Sequence, residues 1–174
     1  MGIASTWLSF VETYQGCSKE RFLEEVDTPY LLVPPGATVA AETGDESDLM
    51  AVQTLMEPTP TLPNSLSAGR AFEYAIPLTK RGLNPFSLMV TVGRAPNNDV
   101  VLQTTMASKF HAYFRQIGDQ WSLCDANSSN GTYLNGVRLP PERSRPLKSG
   151  DQIAFSVERV TFFMMPEEIH ELLP

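Results

Sequence analysis

The chain has 174 residues, 42% of them hydrophobic, with 14 prolines, 11 glycines and a formal charge of -7. That length holds one domain of ordinary size with residues to spare and excludes a large multidomain enzyme, while the apolar share excludes wholesale disorder and the prolines count against an all-helical bundle. The charge is unevenly placed: residues up to Gly69 carry -8 and those from Arg70 onward +1, so an acidic arm precedes a nearly neutral body. Nucleic acid, which is held by clustered Lys and Arg that displace counterions, is therefore not an expected partner.

Trp7, Phe10, Val11 and Tyr14 recur at helical spacing after the N-cap candidates Ser5 and Thr6, and Phe22, Leu23 and Val26 do the same after Ser18. Residues 5–26 are predicted as two short helices. Pro29 to Val33 follows as an extended apolar segment closed by Pro34, Pro35 and Gly36. A block this small does not fold alone and is too apolar for a plain linker, so it is expected to dock, either on its own C-terminal body or on a partner. From Gly36 to Gly69 periodicity disappears into acidic residues, prolines and threonines, which is a linker composition. Thr43, Thr54, Thr59 and Thr61 stand beside acids or prolines there and are candidate kinase substrates.

After Arg70 the period becomes two. Phe72, Tyr74, Ile76 and Leu78 alternate with Glu73, Ala75, Pro77 and Thr79, predicting a half-buried strand that Pro77 assigns to a sheet edge. Further strand runs are predicted at Phe86–Val92, Val100–Leu102, Phe110–Arg115, Gln120–Cys124, Thr132–Leu134, Val137–Leu139, Gln152–Ser156 and Val160–Met165. Many short strands at close spacing indicate an all-β sandwich. Pro166, Glu167 and Glu168 then open a closing helix. The expected organisation is a helical and extended docking segment over 1–35, an acidic Pro- and Thr-containing linker over 36–69, a β-sandwich over 70–166 and a short C-terminal helix over 167–174.

No apolar run reaches the roughly 18 residues of a membrane-spanning helix, and no secretory signal opens the chain, so a cytoplasmic protein with no membrane partner is expected. The opening Met1-Gly2-Ile3-Ala4-Ser5-Thr6 matches a short acylation pattern without a second anchor. Asn127-Ser128-Ser129 and Asn130-Gly131-Thr132 match a glycosylation pattern that a chain without a signal never presents. Cys17, Cys124, His111 and His170 have no metal-site spacing, so neither metal nor cofactor is expected.

The polar residues of the predicted sandwich gather in its connections: Gly93-Arg94, Ser108-Lys109-Phe110-His111, and Asn127 through Gly136. A guanidinium, an ammonium, hydroxyls and glycine-permitted backbone N–H groups are the donors that cradle a dianionic phosphate. At about 1.5–3 kcal/mol per bond to a charged group, three or four of them support roughly micromolar binding. Asn135-Gly136 is the strongest hairpin signal in the chain and is expected to form a type I′ turn without touching ligand. Arg138, Arg143, Arg145 and Lys148, with Asn127 and Ser128, either border the ligand or form ordinary solvated surface.

In this order, Gly93-Arg94, Ser108-x-x-His111, Ser129-Asn130-Gly131-Thr132 and Leu134-Asn135-Gly136 resemble the signature of forkhead-associated (FHA) domains, over roughly residues 70–165. The resemblance implies an FHA-type antiparallel β-sandwich of about eleven strands. It also implies loops at one end that bind phosphothreonine in a partner protein or peptide, within a Ser/Thr kinase pathway, and no catalysis. Carried over by position, Arg94 and Ser108 bind phosphate oxygens and Lys109 adds charge. Ser129 contributes a hydroxyl or backbone contact and Asn130 bonds the ligand's main chain, while Gly93, His111 and Gly131 are structural.

Two other readings compete with it. In one, Ser108 and His111 are nucleophile and base, which lacks an orienting acid. In the other, the domain is a phospho-independent scaffold that docks through its N-terminal segment or sheet faces. A regulated variant of the phosphopeptide reading has phosphorylated Thr43 or Thr54 occupy the chain's own pocket.

Overall fold

The computed structural model describes residues 5–35, 72–156 and 160–174. The linker threonines Thr43, Thr54, Thr59 and Thr61 and the Met1–Ala4 start of the acylation pattern lie outside these residues. Twelve strands and three helices are present among them: β1 (Ser5–Thr6), α1 (Trp7–Tyr14), α2 (Lys19–Glu25), β2 (Tyr30–Val33), β3 (Tyr74–Pro77), β4 (Val90–Gly93), β5 (Val100–Val101), β6 (Ala112–Ile117), β7 (Gln120–Asp125), β8 (Thr132–Leu134), β9 (Val137–Arg138), β10 (Arg145–Pro146), β11 (Gln152–Phe155), β12 (Val160–Met164) and α3 (Pro166–Glu171). They form two sheets, ordered β1-β3-β2-β12-β11-β8-β9 and β10-β7-β6-β4-β5, and every pairing is antiparallel except β4 with β5.

Between the sheets lies a core to which Val92, Phe114 and Leu123 contribute from one side and Leu31, Ile153, Phe155 and Phe163 from the other. The first sheet has a second buried face. Successive residues of β2 and β12 point to opposite sides, so Leu31 and Phe163 enter the sandwich core while Leu32, Phe162 and Met164 enter a separate core with Trp7, Phe10, Phe22 and Ile169. A strand buried on both faces must be apolar at every position, which accounts for the unbroken Leu31-Leu32-Val33 and Phe162-Phe163-Met164 runs.

The helices form because their apolar residues share one face and their ends are capped. Thr6 Oγ1 accepts from the Ser9 amide at 3.3 Å and Ser18 Oγ from the Arg21 amide at 3.4 Å. Trp7, Phe10 and Val11 of α1 and Phe22 of α2 are buried against the sheet. The N-terminal block therefore docks on its own chain, the first of the two alternatives.

Two strand expectations need correction. β3 is not an edge strand, since it lies between β1 and β2; β1 pairs only with Tyr74 and Ala75, so Pro77 lies past its reach and its missing N–H interrupts no ladder. Its alternation is also not half-buried, because the helical layer buries Ala75 completely while Tyr74 stays 39% exposed. The run predicted from Phe86 becomes strand only at Val90, and Leu88 before it is 80% exposed.

Candidate functional site

The antiparallel registers bring the ends of β4, β7 and β11 and the starts of β6, β8 and β12 to one end of the sandwich. The connections there carry every residue singled out for phosphate binding. Arg94 follows β4 directly, and its amide donates to the Ser108 carbonyl at 3.0 Å, while the Ala95 amide reaches the Lys109 carbonyl at 3.2 Å. The approach of these two loops depends on Gly93. A Cβ there would fall on the Lys109 carbonyl oxygen and lie 3.0 Å from Asn98 Nδ2.

His111 joins the loops from behind and is fully buried. Its Nδ1 accepts from the Ser108 backbone N–H at 3.0 Å, and its Nε2 lies 3.1 Å from the Gly131 carbonyl. An N–H donor on one side and a carbonyl on the other require the neutral Nε2–H tautomer. Burial pushes the imidazole pKa below its ordinary value, against smaller opposing effects of the Gly131 carbonyl and Asp125. Nδ1 is thus engaged by the backbone of Ser108, and its hydroxyl points elsewhere.

That hydroxyl accepts the Ser129 N–H at 3.1 Å and lies 3.5 Å from Ser129 Oγ. Ser108, in the connection before β6, and Ser129, in the connection from β7 to β8, thus stand side by side at the surface. Asn130 turns its amide to the Met106 carbonyl at 2.7 Å, fastening the loop before Ser108. Gly131 has φ +84° and packs so close to Arg138 that a Cβ would strike the guanidinium, 3.1 Å from Cζ. Arg94 and Lys109 are exposed, and among the described residues neither side chain has an ion-pair partner. Two unpaired cations therefore flank two hydroxyls and a backbone N–H, a donor set suited to a dianion.

Supports that sequence reasoning missed are carboxylates beneath these loops. Asp125, buried at the end of β7, accepts from the Ser128 amide at 3.0 Å, the Ser128 hydroxyl at 2.5 Å and the Thr132 hydroxyl at 2.7 Å. Ser128 is therefore part of the loop's internal frame instead of a ligand border. Asp99, with no side-chain exposure, takes Lys80 Nζ at 2.6 Å. It also takes the Arg81 amide at 2.7 Å and the Thr91 amide at 2.8 Å. Burial alone would raise its pKa, but hydrogen bonds from Lys80, Thr91 and Arg81 outweigh that and hold it at about 2. Asn98 beside it donates to the Lys109 carbonyl at 2.6 Å. The Asn97-Asn98-Asp99 run was the available signal, since short polar side chains in a turn bond neighbouring backbone.

Of the cations grouped in the sequence, Arg138 lies at the Gly131 loop, whereas Lys148 adjoins Leu147, whose amide reaches the Trp121 carbonyl near the start of β7, the opposite end of the sandwich. Asn135 and Gly136 both have positive φ, +50° and +78°. The Asn135 side chain bonds Asp151 and the Gln152 amide, and the two positive φ angles are those of the expected type I′ turn.

The FHA-domain family model matches residues 90–156, the stretch that carries all of these loops. The oxoglutarate dehydrogenase inhibitor of Corynebacterium glutamicum is 30% identical over 125 residues, covering 68% of this chain and 82% of the relative. The chain belongs to the FHA-domain family. The same-named protein of Corynebacterium jeikeium is 36% identical over 94 residues, 51% of this chain, and the matched part spans 63% of that relative. The crystal structure of the MEK1 FHA domain superposes with a TM-score of 0.50 at 24% identity, covering 85% of this chain and 99% of that one, which places the whole two-sheet architecture within the FHA fold. Among the described residues of this FHA protein no group of His, Cys, Asp and Glu can hold a metal ion, and no helix is long and apolar enough to cross a membrane.

Proposed function

We propose that this FHA domain is a non-catalytic, cytoplasmic adaptor that binds phosphothreonine in partner proteins within Ser/Thr kinase signalling. The observation that carries this reading is the meeting of the Ser108 hydroxyl with the Ser129 amide, 3.1 Å apart, on the loops that also carry Arg94 and Lys109, two exposed cations without an ion-pair partner among the described residues. Phosphate oxygens replace that contact with bonds to Ser108, Ser129 and the Arg94 guanidinium, while Lys109 supplies long-range attraction and Asn130, through its remaining polar capacity, meets the peptide main chain. Gly93, His111 and Gly131 hold the frame. Catalysis by Ser108 and His111 is disfavoured because both imidazole nitrogens face backbone groups.

Burial of one threonine methyl is worth only about 0.8 kcal/mol, so preference over phosphoserine also draws on the stiffer rotamer of a β-branched residue. Calorimetry with phosphothreonine, phosphoserine and unmodified peptides tests the reading. Arg94→Ala should weaken phosphopeptide binding roughly tenfold to a hundredfold, the equivalent of one charge-assisted bond. Binding that ignores either the phosphate or this substitution would refute it.

A second reading, regulation by phosphorylated Thr43 or Thr54 in cis, is favoured by where the flanking strands point. β2 ends at Val33 opposite Tyr74 and beside the start of β12, at the end of the sandwich that carries Ser108 and Gly131. Kinase treatment of the full chain should then shift the amide resonances of Arg94 and Ser108. The phospho-independent scaffold reading is weakened because Trp7, Phe10, Val11, Phe22, Val26 and Leu32 are spent on the second core.

A further inference from the structure

The two loops that present Arg94 and Lys109 also wall a smaller recess on the outer side of the second sheet. Its volume is about 270 Å³, and its lining includes Ala95 and Asn97 from the first loop, Lys109 and Phe110 from the second, and Asn84 and Phe86 from the connection before β4. The Phe86 and Phe110 rings are stacked, with centroids 5.5 Å apart and planes 8° from parallel. Phe110 continues onto Tyr113 at 6.1 Å and 13°, and the Arg115 guanidinium carbon closes the column 5.7 Å from the Tyr113 ring centre. This column stands at the surface, with Phe86 43% exposed.

Phe86 is held in place by the network that also anchors the Arg94 turn. Asn84 accepts the Phe86 amide at 3.1 Å and donates to Thr91 Oγ1 and to the Asn97 carbonyl, each at 3.0 Å, and to Asp99 at 3.3 Å. The ring and the phosphate donors are thus fixed relative to one another, and Lys109 lines both places. The recess offers aromatic and methyl carbon from Phe86, Phe110 and Ala95, with Lys109 on its rim. Exposed flat rings on a rigid base favour another ring stacked or edge-on.

We infer that this recess takes the aromatic side chain of a residue flanking the phosphothreonine on the same partner chain. The inference rests on the phosphothreonine reading above and adds to it a second specificity pocket. Contiguity selects this occupant: one extended segment lying over Lys109 touches both sites without a break.

The test uses the full chain and phosphothreonine peptides with alanine at every other position, in which a single phenylalanine is walked through the four positions on either side. One register should bind about fivefold more tightly than the all-alanine peptide, the gain of one aromatic pair. Phe86→Ser should erase that gain and leave affinity for the all-alanine phosphopeptide unchanged, which also verifies that the variant is folded. No register effect in the parent chain, or an effect that survives Phe86→Ser, overturns the inference while leaving phosphothreonine binding intact. Failure of every phosphopeptide to bind removes both readings. A concentration-dependent dimer that Phe86→Ser dissolves, with no register effect, assigns the recess to a second copy and likewise overturns the inference.

Discussion

Asp99→Asn tests whether the turn bearing Arg94 is held from beneath. One carboxylate oxygen takes Lys80 Nζ at 2.6 Å, the Thr91 amide at 2.8 Å, the Thr91 hydroxyl at 2.9 Å and Asn84 at 3.3 Å, and the other takes the Arg81 amide at 2.7 Å. Asparagine keeps the shape, but whichever way it faces, its NH2 meets an N–H where the carboxylate met it with an acceptor. With its oxygen toward Lys80 and Thr91, the Arg81 amide loses its bond, worth about 1 kcal/mol, and the Lys80 ammonium keeps a hydrogen bond but loses its counter-charge. Lys80 is 29% exposed and partly rehydrates, so the total falls near the lower end of the cost of breaking a buried pair, about 3 kcal/mol.

Acid provides an internal check. The native carboxyl is held below its ordinary 3.8, at about 2, so its stabilisation is present above 3.8 and is lost as pH falls from there through 2. That gap corresponds to about 2 kcal/mol. Urea unfolding followed by tryptophan fluorescence should show a difference between parent and variant of about 3 kcal/mol at pH 7 that shrinks to about 1 kcal/mol near pH 2. A difference below about 0.5 kcal/mol at pH 7, or one that does not change with pH, would refute the reasoning.

The Gly93→Ala Cβ would lie 2.9 Å from the Lys109 carbonyl carbon, so the loops must part and strain the Arg94–Ser108 and Ala95–Lys109 backbone bonds. We expect a folded protein destabilised by about 1–3 kcal/mol whose phosphopeptide affinity drops at least tenfold by calorimetry; parental affinity would show that the loop spacing is not needed. For His111, whose pKa burial lowers, the neutral ring contributes stability fully present above the ordinary 6.5 and lost as pH falls below it toward the lowered value. Its ring proton resonances should therefore titrate below the ordinary 6.5, and titration at 6.5 or above would contradict the buried, neutral ring.

Much of the fold was legible because half-buried strands alternate and tight turns use few residue types. The Asn135-Gly136 hairpin and the loop motifs at Gly93, Ser108 and Ser129 were recognisable before any coordinates. What escaped was whatever depends on a third layer. Tyr74 and Ala75 reverse the expected burial because the helices cover the far face of the first sheet, a fact that strand periodicity does not carry. Phe86 looked like a strand residue because an exposed aromatic column and a buried strand share the same composition. Ser128 reads in the sequence as ligand border or solvated surface, and neither reading holds because its partner, Asp125, is assembled only by the fold.

The position of β2 bears on how the chain is made. Leu31 and Leu32 pair with Phe163 and Phe162, some 130 residues later, and the second core adds Ile169 to Trp7 and Phe22. During synthesis the first sheet stays open at its centre until β12 has left the ribosome, leaving β2 with an unpaired apolar edge until then. Closure of this sheet should therefore wait for the emergence of β12 and be slow, as expected when distant strand pairings close a sheet. Chaperone dependence and aggregation of nascent chains should respond to substitutions in Tyr30–Val33 more than to changes in the loops that carry Arg94, Ser108 and Ser129.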